Sequence, residues 1–170
     1  MVVLVGRHPE RTAATASSIQ QETGNPHVEC LLADLSAQAQ VRQLAGELQR
    51  RFARLDVLLN NAGAFFAERH VRVDGIEMTL ALNHLAYFLL THLLLDTATP
   101  AARIVNVSSD AHRKARFDFA DPQGGQRYRG WRAYCQSKLA NLLFTYELAR
   151  RLAGTGITAN AVHPGFVATG

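Results

Sequence analysis

Leu55-Asp56-Val57-Leu58-Leu59-Asn60-Asn61-Ala62-Gly63 is the stretch that decides how this chain folds. A mostly apolar run of strand length is broken abruptly by small and polar residues, which suits a buried strand better than a helix. The same unit recurs on either side. Upstream, residues 2–6 and 28–33 are apolar and lead into Gly6-Arg7-His8 and Asp34-Leu35. Downstream, residues 103–108 lead into Ser108-Ser109, and 157–162 into His163-Pro164-Gly165. Longer amphipathic stretches lie between. Residues 9–22 read as a helix with Pro9 in its first turn, and Ser36 is expected to cap a helix reaching residue 52, with Val41, Leu44, Leu48 and Phe52 on one face. Further helices are expected over 76–96 and 131–152, with a loop across 110–130. Apolar strands alternating with helices call for a parallel sheet covered on both faces. The expectation is one doubly wound α/β domain spanning residues 1–170.

Composition narrows the function classes. With 170 residues and 48% hydrophobic content the chain can bury one sizeable core. Eighteen basic against 14 acidic residues leave a net charge of +4, without a run of like charges that would suit a nucleic acid. Sixteen of the 18 basic residues are arginines, many of them on helical segments, where a solvated face is the ordinary reading. Cys30 and Cys135 fall in a strand and a helix, which points away from a disulfide scaffold and towards a reducing compartment. The apolar stretch 85–95 includes Thr91 and His92 and is too short to span a bilayer. A cytoplasmic location without a membrane span is the expectation. Seven histidines show no metal-ligand spacing, so no metal site is expected.

Ligands of doubly wound sheets lie beyond the carboxyl ends of the strands, and after the strand that ends in Ser109 the chain carries a Tyr and a Lys at helical spacing, Tyr134-Cys135-Gln136-Ser137-Lys138. Residues i and i+4 share one helix face, so phenol and ammonium can reach one pocket. A free phenol titrates near ~10 and is a poor base at neutrality, but a fixed cation favours the phenolate. The pair can therefore exchange a proton with an alcohol or carbonyl oxygen. Tyr128 has no lysine at i+4 and reads as a loop residue.

Ile104-Val105-Asn106-Val107-Ser108-Ser109, Ala133-Tyr134-Cys135-Gln136-Ser137-Lys138-Leu139-Ala140-Asn141 and His163-Pro164-Gly165 together resemble the short-chain dehydrogenase/reductase family, in particular its retinol-dehydrogenase-like branch. The resemblance runs along essentially the whole chain and implies a Rossmann-like fold. It implies Tyr134 as general acid/base, Lys138 as its cationic partner and ribose contact, Ser109 as the holder of the substrate oxygen, and Asn83 as support for a water relay. The plainer readings are a core-packed Tyr134, strand-ending serines and a backbone-satisfied Asn83. Finding the four in register weighs against them. Asn60, Ala62 and Gly63 are expected to let the backbone approach the cofactor, with Asn61 tying neighbouring strands. Asp34 and Leu35 are implied at the adenine, and Pro164, Gly165, Val167 and Thr169 over the nicotinamide.

Arg7 and His8 stand where an NAD-preferring enzyme carries an acid, which favours NADP(H) over NAD(H). An apolar alcohol or carbonyl is the implied substrate, and a homo-oligomer built on helices 76–96 and 131–152 the implied assembly. The family opens with a strand and a glycine-rich turn, Thr-Gly-x-x-x-Gly-x-Gly, that seats the pyrophosphate. No such turn occurs here, so the chain is expected to lack the first βα unit and the C-terminal substrate region. Loss of a central strand should expose apolar edges on two neighbours. Two readings stay open: part of an oxidoreductase, or a non-catalytic remnant with weak nucleotide or protein binding.

Overall fold

The protein is represented by a computed structural model that describes residues 1–165; Val167 and Thr169 lie outside them. Strand β1 (Val2–Gly6) leads into α1 (Pro9–Thr23), and β2 (Val28–Leu32) into α2 (Gln38–Arg51). Strand β3 (Leu55–Asn60) is followed by a helical run made of α3 (Met78–Leu80), a π-helical segment (Ala81–Leu85), α4 (Ala86–Leu94) and a 3-10 turn (Leu95–Thr97). Then come β4 (Ala98–Val107), a 3-10 turn (Asp110–Lys114), α5 (Gly130–Arg151) and β5 (Thr158–Val162).

All strand pairs are parallel, but the sheet is in two blocks, β1-β2 and β3-β4-β5. Among the described residues β1 and β3 each have one partner, as do β2 and β5, and no ladder joins the two blocks. One apolar core bridges the blocks: Leu31, Val3 and Val5 from the first pack with Leu55 and Leu58 from the second, roofed by Val41 and Leu44 of α2 and Leu90 and Leu94 of α4. Strand side chains alternate between faces. Cys30 accordingly points away from that core and meets the Thr12 carbonyl of α1 on the opposite face. α5 packs on β4 and β5 through Ile104, Leu148, Leu152 and Ala159. The opposite face of the larger block is less complete, with Val57 and Leu59 both 59% exposed.

Some local expectations need correction. Ser36 does not cap α2; its hydroxyl donates to Asp34 instead, and Ala37 occupies the cap position without a side-chain bond. The helix expected from residue 76 starts at Met78, because the Glu77 carboxylate accepts from the Thr79 and Leu80 amides. It also contains a π-helical segment that apolar periodicity does not reveal. The run Met78–Thr97, 20 residues long with mean hydropathy 1.4, is long and apolar enough to cross a bilayer, unlike the stretch 85–95 alone. Half of its most apolar window is buried inside the protein, the ordinary setting of a core helix.

Gly130 begins α5 where the 66–67 backbone crosses it. A Cβ there would lie 2.3 Å from the Phe66 carbonyl oxygen and 2.9 Å from the Ala67 Cα. Both neighbours are backbone and cannot swing aside, so Gly130→Ala is expected to destabilise the fold by about 2 kcal/mol. Chemical denaturation checks this, and an unchanged midpoint would show that the crossing is loose.

Candidate functional site

The carboxyl ends of β3 and β4 and the first turns of α5 supply the site. At the end of β3, Asn60 is buried and its amide donates to Thr91 Oγ1 (3.0 Å) and Asn106 Oδ1 (2.8 Å). The tie expected of Asn61 is therefore made by Asn60, while Asn61 is exposed. Gly63 follows. A Cβ on it would stand 3.3 Å from Asn83 Oδ1 and 3.5 Å from Lys138 Nζ, so glycine here keeps the backbone close to both. Ala62 between them is half-buried.

Asn83 sits in the π-helical segment and is fully buried. π-Helical turns are rare and concentrate at functional sites. Its side chain accepts from the Ala64 amide (2.9 Å) and donates to the Ala64 carbonyl (2.9 Å) and Ser137 Oγ (3.2 Å). Asn83 thus clamps the post-β3 loop to α5 rather than touching Lys138 with its amide.

The two serines after β4 have separate surroundings. Ser108 is buried and its hydroxyl donates to the Lys138 carbonyl at 2.8 Å, pinning α5 to the strand end. Ser109 is half-buried, and among the described residues its hydroxyl accepts only a long bond from the Ala111 amide, 3.3 Å. Ser109 is the one with a donor hydrogen left for another oxygen. Its carbonyl is met by His112 Nδ1 at 2.6 Å.

Lys138 is 4% exposed, and its ammonium donates to the Val107 carbonyl at 3.1 Å. Burial pushes its pKa down to about 8. The ammonium lies 5.7 Å from the centre of the Tyr134 ring. Tyr134 is half-buried between two aromatics: Trp131 stacks on it (5.8 Å, 19°) and Phe65 stands edge-on (6.3 Å, 70°). Trp131 and Phe65 are themselves about half exposed, which gives the Tyr134 side of the site an apolar wall. Sequence reading missed both, because an isolated aromatic in a loop or helix carries no signal of what it faces.

The opposite end of the sheet carries Arg7 and Asp34. Arg7 is exposed, with its Nε donating to His8 Nε2 at 3.1 Å. The Asp34 carboxylate accepts from the Ser36 amide (3.0 Å) and hydroxyl (2.6 Å) and pairs with Arg72. Burial opposes its ionisation, but Ser36 and the Arg72 guanidinium together hold the carboxyl below the usual range. Arg72 is a site neighbour with no counterpart in the sequence reading. Leu35 joins the central core. Pro164 and Gly165 follow β5, exposed, with Gly165 at φ +80°. Among the described residues no group of three His, Cys, Asp or Glu could hold a metal ion.

Tyr87 of α4 is 2% exposed, and its hydroxyl has no hydrogen-bond partner among the described residues. Burial, with Tyr134 nearby, raises its pKa. A buried hydroxyl without a partner costs stability. Tyr87→Phe is therefore expected to leave stability unchanged or raise it by about 1 kcal/mol, read by urea unfolding. A clear loss would reveal a hidden partner.

A family model for short chain dehydrogenases matches residues 1–170. The chain belongs to that family. Human retinol dehydrogenase 13 is 44% identical over 171 residues, covering 99% of this chain and 52% of that protein. Human retinol dehydrogenase 11 is 46% identical over 168 residues, covering 98% and 53% respectively. The chain is thus retinol-dehydrogenase-like and spans about half the length of the curated relatives it matches. Among solved structures, an uncharacterized Mycobacterium paratuberculosis protein superposes with a TM-score of 0.85 at 41% identity, over 99% of this chain and 60% of that one. The Pseudomonas aeruginosa RhlG/NADP active-site complex gives 0.75 at 29% identity, over 98% and 63%. The family to which the chain belongs is one of nicotinamide-dependent oxidoreductases.

A nicotinamide dinucleotide fits the residues present at two places. Gly63 leaves open the space beside Asn83 and Lys138 that a side chain would fill. At the other end, Arg7 offers an exposed cation and Asp34 an ionised carboxylate, already shared with Ser36 and Arg72.

Proposed function

We propose that the chain is the catalytic part of an NADP(H)-dependent oxidoreductase that interconverts an apolar alcohol and its carbonyl. The observation that carries this is the placement of a buried ammonium, Lys138, beside the ring of Tyr134, anchored to the carbonyl two residues before Ser109. When bound, the nicotinamide supplies or accepts the hydride. In reduction the Tyr134 phenol donates its proton to the carbonyl oxygen; in oxidation the phenolate takes the hydroxyl proton. Ser109 donates a hydrogen bond to the same oxygen, and Lys138 stabilises the charge left on Tyr134. Asn83 holds the Gly63–Ala64 backbone against α5, and the Asp34 carboxylate receives the adenine. Arg7 favours a 2′-phosphate over a bare ribose, while Trp131 and Phe65 favour an apolar substrate body. Pro164, Gly165, Val167 and Thr169 are assigned to the nicotinamide side on family resemblance alone.

A second reading, a chain that binds nucleotide weakly and does not turn over, is favoured by the divided sheet and the exposed Val57 and Leu59. Fluorescence titration with NADPH and NADH separates the two. Tight binding with NADPH preferred supports the first reading and licenses a carbonyl screen; no binding to either sinks catalysis by this chain. The exposed Phe88, Leu143 and Tyr146 on α4 and α5 support a homo-oligomer through these helices, which sedimentation would test. A cytoplasmic location belongs to the same proposal, resting on the free thiols of Cys30 and Cys135.

A further inference from the structure

Asn141 lies in α5 one turn beyond Lys138 and is fully buried. Its amide nitrogen donates to the Asn83 carbonyl (2.8 Å) and, more weakly, to the Val107 carbonyl (3.4 Å). Carbonyls only accept, so these bonds fix which way the amide faces. Its oxygen must then receive a proton from His84 Nδ1, 3.0 Å away. His84 is therefore the Nδ1–H tautomer, and burial lowers its pKa, which keeps the ring neutral. The Asn141 carbonyl in turn accepts from Thr145 Oγ1 at 2.7 Å, and that hydroxyl accepts from Asn106 at 2.9 Å. The residue is held on every side.

The two carbonyls it grips belong to the site. Val107 supplies the acceptor that anchors the Lys138 ammonium at 3.1 Å. Asn83 belongs to the π-helical segment, and its side chain bonds Ala64 and Ser137. We propose that Asn141 is a positioning residue: by fixing the Asn83 and Val107 carbonyls together, it keeps the Lys138 ammonium beside Tyr134. The proposal rests on the reading of Tyr134 and Lys138 as a proton-exchanging pair. The groups facing Lys138 Nζ are the Tyr134 ring on its own helix, the Val107 carbonyl from β4, and Gly63 with Asn83 beside it. The plain rival is a satisfied core amide that matters to stability and nothing else.

The chain makes the test clean, because Lys114 and Lys138 are its only lysines. NMR of isotope-labelled lysine side chains on the full chain follows the titration of Lys138, with Lys114 as internal reference and no need for turnover. In Asn141→Ala the Val107 carbonyl is freed and water reaches the ammonium, so the Lys138 midpoint is expected to rise by about one unit towards its ordinary value. Asn141→Ser, which keeps one donor, is expected to give a smaller rise. A folded variant with a lower melting temperature but an unchanged Lys138 midpoint would overturn the proposal and leave the plain rival. Should Asn141→Ala not fold, the Ser variant decides by the same criterion. A wild-type Lys138 already titrating at its ordinary value would likewise overturn the positioning proposal, whereas a Tyr134→Phe variant of full activity would sink the Tyr134–Lys138 reading itself, so the two failures are told apart.

Discussion

Tyr134→Phe is expected to lower kcat/KM for carbonyl reduction by about 10² to 10⁴-fold, the usual worth of a positioned proton donor. NADPH affinity should hardly change. The substitution removes one oxygen and leaves the ring, which keeps its stack on Trp131 and its edge contact with Phe65. Packing is thus separated from chemistry. If Tyr134 were only an aromatic filling the gap between two others, Phe would serve as well and the rate would stand. A variant with full activity would therefore end the case for Tyr134 as acid/base, whatever the cofactor.

Lys138→Met should move stability and activity in opposite directions. The Lys138 ammonium is held at about 8 instead of 10.5 because burial penalises its charge. Between those values the folded chain binds fewer protons than the unfolded one. Stability is consequently depressed below pH 8 and recovers as pH rises from 8 to 10.5. The penalty at neutral pH is on the order of 3 kcal/mol, partly offset by the bond to Val107, about 1 kcal/mol. Met keeps the length of the stem and removes the charge. It should raise the midpoint of urea unfolding at pH 7, abolish the alkaline recovery and eliminate turnover. A variant that shows the same rise between pH 8 and 10.5 would mean that another group causes it.

What the sequence made legible was governed by period and by chain breaks. Apolar runs and their polar exits located the five strands among the described residues, although β4 begins at Ala98 and not at 103, and the Tyr134–Lys138 spacing survived because helical geometry is local. The failures were matters of competition between nearby partners. Ser36 had the chemistry of a helix cap, but Asp34 and Arg72 took its hydroxyl. Asn60 and Asn61 are chemically identical, and only strand parity decides which one turns inward to Thr91 and Asn106. The π-helical segment at Asn83 was invisible because its apolar neighbours fit an ordinary helix as well. Asn141 stood inside a recognised motif without a role, since nothing local marks the carbonyls it would meet.

The division of the sheet has a mechanical consequence. Among the described residues no backbone hydrogen bond of a strand ladder joins the β1-β2 block to the β3-β4-β5 block; side-chain packing under α2 and α4 does. Ladder bonds are directional and resist sliding, whereas apolar contact tolerates small rotations. The seam between the blocks is therefore held by that packing and a few polar ties, Arg72 to Asp34 and Ser36 and Gln49 to the Leu93 carbonyl, in place of a ladder. Arg7 and Asp34 ride on one side of it, and Ser109, Tyr134 and Lys138 on the other. A dinucleotide long enough to touch both groups would act as a cross-brace, stiffening the joint it spans. Amide exchange along β1 and β3 would then slow together when it binds, in strands that it need not touch.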